Sequence, residues 1–298
     1  MRNPLIIGTR GSDLALWQAN HVQSILASKG IETTIHIIKT TGDQIQNLSF
    51  DKIEGKGFFT KEIEEALLNN TVDIAVHSHK DLETEQPFGL TIAAVSERAD
   101  PAEMLLINPN AFDQNEKFSL KKNAIVGTSS SRRKAQILHY RADVQLSDIR
   151  GNVPTRVQKL RDGNFDAILL AKAGLDRLKL NLSGLVALPL DPEEFIPAPA
   201  QGVLAIQCRS TDADMIELLG KINNAAVKNL ITIERTVLNK LQGGCQLPLG
   251  VYATLYEGEY TVHVSYAKSW DAPNRIITFL ADDAASLPDV IVGELTKN

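Results

Sequence analysis

The sequence predicts an α/β protein of three domains, and three observations predict it. Two stretches each run strand, Gly/Ser/Thr-rich turn and helix, followed later by an Asp-led apolar strand. Ile7-Gly8-Thr9-Arg10-Gly11-Ser12 is echoed by Val126-Gly127-Thr128-Ser129-Ser130-Ser131, and Val72-Asp73-Ile74-Ala75-Val76 by Phe165-Asp166-Ala167-Ile168-Leu169. A Pro-rich connector, Phe195-Ile196-Pro197-Ala198-Pro199-Ala200-Gln201-Gly202, separates both from a tail of different pattern.

In chain order, Leu5-Ile6-Ile7 opens as a strand and turns over residues 8–12. A helix follows over 14–28, where Leu14, Trp17, Val22, Ile25 and Leu26 recur near the helical period, and Lys29-Gly30 stops it. Residues 33–39 are β-branched and strand-like. Residues 42–57 are polar, carry Gly42, Gly55 and Gly57, and read as a long loop. A helix over 58–69, a strand over 72–76, a loop at 77–81 and a strand over 90–95 complete the first stretch. The second begins near Asp100-Pro101, with strands at 124–126, 144–149 and 166–170 alternating with helices at 132–140, 153–161 and 174–178. Each stretch predicts a mostly parallel sheet. A strand at 203–207 is placed to return to the first domain, making a two-crossing hinge. A helix at 228–241, then Gly243-Gly244-Cys245, then strands at 260–266 and 276–280 predict a small third α/β domain.

Composition bounds the function. Hydrophobic residues make up 43% and charged residues 22% of the 298, which excludes collagen-like and largely disordered chains. A chain of this size buries roughly three quarters of its unfolded surface, so it needs no staple. No apolar run approaches the roughly 20 residues of a membrane span, and the N-terminal apolar stretch is short for a signal-peptide core. Cys208 and Cys245 are the only cysteines, which predicts a reducing, cytoplasmic setting. The net charge of -5 argues against a nucleic-acid partner. That total is uneven: the stretch 132–177 holds seven of thirteen arginines and nets +5, leaving -10 elsewhere. Arginine is the residue that grips carboxylate or phosphate with two parallel hydrogen bonds.

Four constellations could carry chemistry. The turns at 8–12, 127–131 and 150–152 sit where helix N-termini bind anions; simple N-capping by Ser or Asn is the alternative. Arg132, Arg133, Arg150, Arg156 and Arg177 lie near strand ends, which favours a cleft for a ligand with several carboxylates. Arg132 and Arg133 are adjacent, so at most one is expected on a buried helix stripe. Arg141 and Arg161 read as surface residues. In His77-Ser78-His79-Lys80-Asp81, the two histidines alternate and do not suit one metal, whereas Lys80 and Asp81 suit anion binding or acid–base work, against a plain surface ion pair. Cys245, between two glycines and Pro248, is placed as a nucleophile or attachment point, or as a small buried hydrophobe; Cys208 reads as core.

These motifs are similar to those of a known family. Thr9-Arg10-Gly11-Ser12, Gly55-Lys56-Gly57 with Phe59, Val76-His77-Ser78 with Lys80-Asp81, Gly127-Thr128-Ser129-Ser130 with Arg132-Arg133, Arg150-Gly151-Asn152 with Thr155-Arg156, Ala173-Gly174-Leu175 with Arg177, Gln201-Gly202 and Gly243-Gly244-Cys245 run in order. The chain thereby resembles the porphobilinogen deaminase (hydroxymethylbilane synthase) family. The resemblance implies two periplasmic-binding-protein-like lobes with a hinge, plus a small α/β C-terminal domain. The expected domains are 1–98 with 200–219, then 102–195, then 223–298. It implies a dipyrromethane cofactor joined by thioether to Cys245, and four porphobilinogen units added head to tail with loss of ammonia before hydrolytic release of the linear tetrapyrrole. Asp81 is then the catalytic carboxylate that stabilises the electron-poor species left when ammonia departs. Cofactor contacts fall to Lys80, Asp81, Thr128, Ser129, Ser130, Arg132, Arg133 and Gly174. Substrate contacts fall to Arg10, Ser12, Arg150, Gly151, Arg156, Arg177 and Gln201. Lys56 and Phe59 belong to a lid. No metal, nucleic acid or membrane is implied, and a cytoplasmic monomer is expected. His79, Glu83 and Lys172 depart from the family pattern. Two other classes compete: a solute-binding or sensing module, against which the Gly-Gly-Cys loop and third domain count, and a cysteine-dependent hydrolase, for which no His and Asp/Asn partners can be placed.

Overall fold

The computed structural model describes residues 2–41, 60–243 and 246–297, so Lys56, Phe59 and Cys245 lie outside the described residues. The first elements are β1 (Leu5–Thr9), α1 (Asp13–Ala27), β2 (Thr33–Ile37), α2 (Lys61–Leu68), β3 (Ile74–Ser78) and β4 (Leu90–Val95). Next come β5 (Glu103–Ile107), β6 (Ile125–Gly127), α3 (Ser131–Tyr140), β7 (Gln145–Ser147), α4 (Val153–Arg161), β8 (Ala167–Ala171), α5 (Lys172–Leu178) and β9 (Val186–Leu190). The chain ends with β10 (Leu204–Arg209), α6 (Ala213–Gly220), α7 (Ala225–Lys240), β11 (Leu249–Tyr256), β12 (Glu259–Tyr266), β13 (Arg275–Ala281) and α8 (Leu287–Leu295).

Contacts divide the chain into two units. One holds the described residues up to Ala99 together with Gly202–Asn229; the other holds Asp100–Gln201 and the described residues from Leu230 onward. The first unit is built on a five-stranded sheet of order β2-β1-β3-β10-β4, in which β1 runs parallel to β2 and β3, and β10 runs antiparallel to β3 and β4. One face is covered by Ala19, Val22 and Leu26 of α1 with Met215 and Leu219 of α6, the other by Ile63 and Leu67 of α2. The near-continuous apolar β3 suits burial on both faces.

The second unit holds two sheets. The larger has order β7-β6-β8-β5-β9, with β6 parallel to β7 and β8 and with β5 antiparallel to β8 and β9. Both five-stranded sheets thus follow one plan, in which the odd strand is the first that the chain makes after crossing. The smaller sheet, β11-β12-β13, is an antiparallel meander covered by α7 and α8 through Ile233, Val237, Leu287, Ile291 and Leu295. Glu234, fully buried on α7, accepts from Ala200 N at 2.6 Å and Ala253 N at 2.9 Å, tying the connector to the meander.

Several elements differ from the sequence reading. His77 and Ser78 finish β3 instead of starting a loop, because β3 runs two residues further to pair with β10. Strands β5, β9 and β11 and helices α6 and α8 had no clear local signal. In β5 the residues Glu103-Met104-Leu105-Leu106-Ile107 include helix formers, and burial on both faces makes them a strand.

Candidate active site

In the first unit, β1 and β3 are parallel and neighbouring, so Arg10 and residues 78–81 leave the sheet at the same edge. Ser12 caps α1, its Oγ accepting from Ala15 N at 3.4 Å. Gln18 of α1 donates to Ser78 Oγ at 2.9 Å. His79, Lys80 and Asp81 form one 3-10 turn, anchored where His79 N donates to Val203 O (3.0 Å) and Leu82 N to His79 O (3.2 Å). Buried His79 and Leu82 flank half-buried Lys80 and exposed Asp81, so the carboxylate is presented from a fixed base.

Behind this turn lies a buried polar network absent from the sequence reading. His77 Nε2 lies 3.1 Å from Gln207 Oε1, and Gln207 Nε2 donates to Glu64 Oε1 (3.1 Å) and Gln86 Oε1 (2.9 Å). Since both amide hydrogens of Gln207 are committed, its Oε1 accepts and His77 Nε2 carries the proton. Burial pushes the His77 pKa down to about 4; the Gln207 hydrogen bond opposes that and the Arg10 charge adds to it. His77 is therefore a neutral, structural histidine near neutral pH.

In the second unit, parallel β7, β6 and β8 bring the other turns to one edge. Ser130 caps α3, Oγ accepting from Arg133 N at 3.5 Å, and Asn152 caps α4, Oδ1 accepting from Thr155 N at 2.9 Å. Capping therefore accounts for Ser12, Ser130 and Asn152. Thr128 is buried, and Ser129 Oγ both donates to Ile149 O (2.9 Å) and accepts from Ile149 N (3.0 Å). Gly151 has φ 114°, and a Cβ there would lie 2.7 Å from Thr155 Cγ2, so the turn requires glycine. Arg156 Nε donates to Gly151 O at 2.8 Å and Lys159 Nζ to Arg150 O at 3.0 Å, bracing this turn from α4. Gly174 is buried in α5, and burial lowers the pKa of Arg177 on the same helix. Lys172, at the start of α5, bridges Asp176 (2.8 Å) and Asp100 (3.1 Å).

Two sequence expectations need correction. Arg132 and Arg133 are both buried, 5% and 7% exposed, although adjacent. At the first turn of a helix two long stems can bend to one point, and here both reach Glu103: Arg132 Nη2 to Oε1 at 2.5 Å, Arg133 Nη2 to Oε2 at 2.7 Å. Arg141 is not a surface residue; 4% exposed, it donates to Lys117, Leu120 and Lys121 carbonyls and pairs with Asp143, whose carboxyl it holds well below the usual range. Gln201 is fully buried, with its amide donating to Pro101 O at 2.7 Å, so it joins the two chain crossings. Glu103 and Gln207 escaped sequence reading; the available signal was a single acid or amide inside an apolar strand.

Residues 5–217 match the family model described as porphobilinogen deaminase, dipyromethane cofactor binding domain, and residues 228–265 match the porphobilinogen deaminase C-terminal domain. The chain belongs to the porphobilinogen deaminase family. The porphobilinogen deaminase of Sulfurimonas denitrificans is 44% identical over 259 residues, spanning 85% of this chain and 80% of that one. That of Nitratiruptor sp. is 46% identical over 254 residues, spanning 85% and 79%. Among solved structures, the periplasmic VFT2 domain of Bordetella pertussis BvgS is similar at 11% identity and TM-score 0.44, covering 77% of this chain and 92% of that one. The family's dipyrromethane bears acetate and propionate carboxylates, and the donor set at these edges is cationic. Among the described residues, Arg133 Nε is buried without a hydrogen-bond partner, an orphaned donor of the kind a carboxylate satisfies. The residues present therefore fit the group.

Proposed function

We infer that Cys245 carries the dipyrromethane, that Asp81 is the catalytic carboxylate, and that the arginines of both units bind the pyrrole side chains. The family reaction joins four porphobilinogen molecules head to tail into hydroxymethylbilane, with loss of ammonia, in tetrapyrrole biosynthesis. When bound, the dipyrromethane supplies the primer on which the chain of pyrroles is built. Arg10 and Ser12 in the first unit, and Arg150, Gly151, Arg156 and Arg177 in the second, bind acetate and propionate groups of the substrate. Lys80, Thr128, Ser129, Ser130, Arg132, Arg133 and Gly174 serve the cofactor side. Gln201, buried at the chain crossing, belongs with the substrate-binding set. Asp81 accepts from pyrrole N–H groups and offsets the positive charge that develops on the substrate as ammonia leaves.

The observation that carries this reading is Asp81 itself: an exposed carboxylate on a turn clamped on both sides by buried His79 and Leu82. A carboxylate carried on a turn held by backbone hydrogen bonds needs little reorganisation when the substrate becomes cationic. A reducing cytoplasm fits Cys208, a buried thiol on β10 whose pKa burial pushes up to about 11. Among the described residues, no helix is long and apolar enough to cross a membrane.

Intact-mass spectrometry with peptide mapping, paired with Asp81→Ala kinetics, tests the assignment. The expected mass shows two added pyrrole units on the peptide containing Cys245. Asp81→Ala is expected to keep its circular dichroism and lose more than about hundredfold in turnover. An active protein of unmodified mass overturns the Cys245 assignment; near-normal turnover in Asp81→Ala overturns the other.

A further inference from the structure

Glu103 has no place in the functional reading above, yet it is the most enclosed acid beside the arginine turn. It is 0% exposed and lies in β5, paired with Ala171 of β8 on one side and Leu190 of β9 on the other. Its two oxygens are divided between two guanidinium groups, at 2.5 and 2.7 Å. Each guanidinium is held a second time by backbone: Arg132 Nη1 donates to Ile196 O (2.9 Å), and Arg133 Nη1 donates to Leu169 O (3.0 Å). Arg132 and Arg133 both pair with this one carboxylate, in a region where water does not screen the charges. Among the described residues, Arg133 Nε adds a buried donor with no hydrogen-bond partner. Such a cluster is incomplete as a structural ion pair and suited to an anionic ligand.

We propose that Glu103 is a positioning residue for cofactor assembly: its single carboxylate sets Arg132 and Arg133 as a paired clamp for the carboxylates of the dipyrromethane. The proposal rests on the assignment of Arg132 and Arg133 to the cofactor. Glu103 does not touch the ligand; it fixes the two groups that do. Removing its charge would let both guanidiniums turn away to find other acceptors, and the clamp would lose its spacing.

The test follows adduct formation in chains produced without the cofactor and then incubated with porphobilinogen, read by intact mass, alongside circular dichroism and Tm. Glu103→Gln is expected to slow adduct formation per folded chain by about tenfold, the scale seen when a residue that orients a ligating group is lost. Glu103→Asp, which keeps the charge, is expected to fall between Glu103→Gln and the wild type. A purely structural role would lower Tm and leave the rate per folded chain unchanged, which overturns the proposal. Where Glu103→Gln does not fold, Glu103→Asp decides: a wild-type rate overturns the proposal and a slowed rate supports it. Arg132→Lys and Arg133→Lys separate the two levels. If these also load at the wild-type rate, the cofactor assignment of the arginines fails. If they load slowly while both Glu103 variants load normally, only the role of Glu103 fails.

Discussion

Asp73 and Asp166 occupy the same place in the two lobes. Asp73 accepts from Ile6 N at 2.8 Å while its own N–H donates to Ile6 O at 2.9 Å; Asp166 does the same with Ile125 at the same distances. The register that follows aligns β3 with β8 and β10 with β5, and there the lobes part. Leu204 pairs with Ser78 where Glu103 pairs with Ala171. Counted from the caps Ser12 and Ser130, Leu14 and Ala15 stand where the second lobe has Arg132 and Arg133. Conversely, His77 and Gln207 of the first lobe correspond to Leu170 and Leu106. One backbone plan thus holds a polar network centred on His77 and Gln207 in one lobe and an arginine–carboxylate cluster in the other. The difference teaches that the sheet tolerates either chemistry when each buried polar group is mostly partnered.

Exchanging the lobes' residues tests this directly. Glu103→Leu alone strands two buried guanidiniums and should cost about 3–5 kcal/mol in urea unfolding. Adding Arg132→Leu and Arg133→Ala, which completes the first-lobe set, should recover most of that loss; no recovery would mean the two positions are not equivalent.

A somewhat smaller effect concerns pH. The folded pKa of His77 is about 4 against an ordinary 6.5, so the unfolded chain takes up the proton first. Its stability contribution is complete above pH 6.5 and is lost as pH falls toward 4. His77→Leu with Gln207→Leu installs the second-lobe pair. The drop in unfolding free energy between pH 7 and 4.5 should shrink by roughly 2–3 kcal/mol relative to wild type. An unchanged drop would show that groups other than His77 set the acid response.

The smallest expected difference lies between the matched aspartates. Asp73 is 6% exposed and near Arg2 and Arg209, at 3.8 and 3.6 Å; Asp166 is half-buried and paired with Lys121 at 2.7 Å. Asp73→Ala should cost about 1–3 kcal/mol and Asp166→Ala about 1 kcal/mol, since burial raises the penalty for the orphaned strand N–H. Equal thermal shifts would argue that burial does not separate the two sites.

Most of the site's address was readable. The strand-turn-helix pattern places Arg10, Ser12, residues 128–133 and residues 150–156 at strand ends because hydrophobic period and capping residues are local signals. The turn at 79–81 was readable as a motif, though its first two neighbours proved to be strand. The strand β5 was not readable, since full burial erases the alternation that marks a half-exposed strand. Gly202 shows a further limit. Its φ is 91° and a Cβ there would lie 2.3 Å from Ala99 O, an approach between segments that no local pattern reveals.

The sequence by itself determined the α/β class, the internal echo between lobes, the arginine-rich block and the family. The tertiary structure alone decided which of those arginines are structural and which acid holds the others. Arg141 became a buried clamp on the 117–121 carbonyls, and Glu103 met Arg132 and Arg133 from 29 and 30 residues away. The physical reason is that periodicity reports how a segment is buried, whereas charge pairing depends on strand order. Only the insertion of β5 between β8 and β9 brings that carboxylate under the first turn of α3.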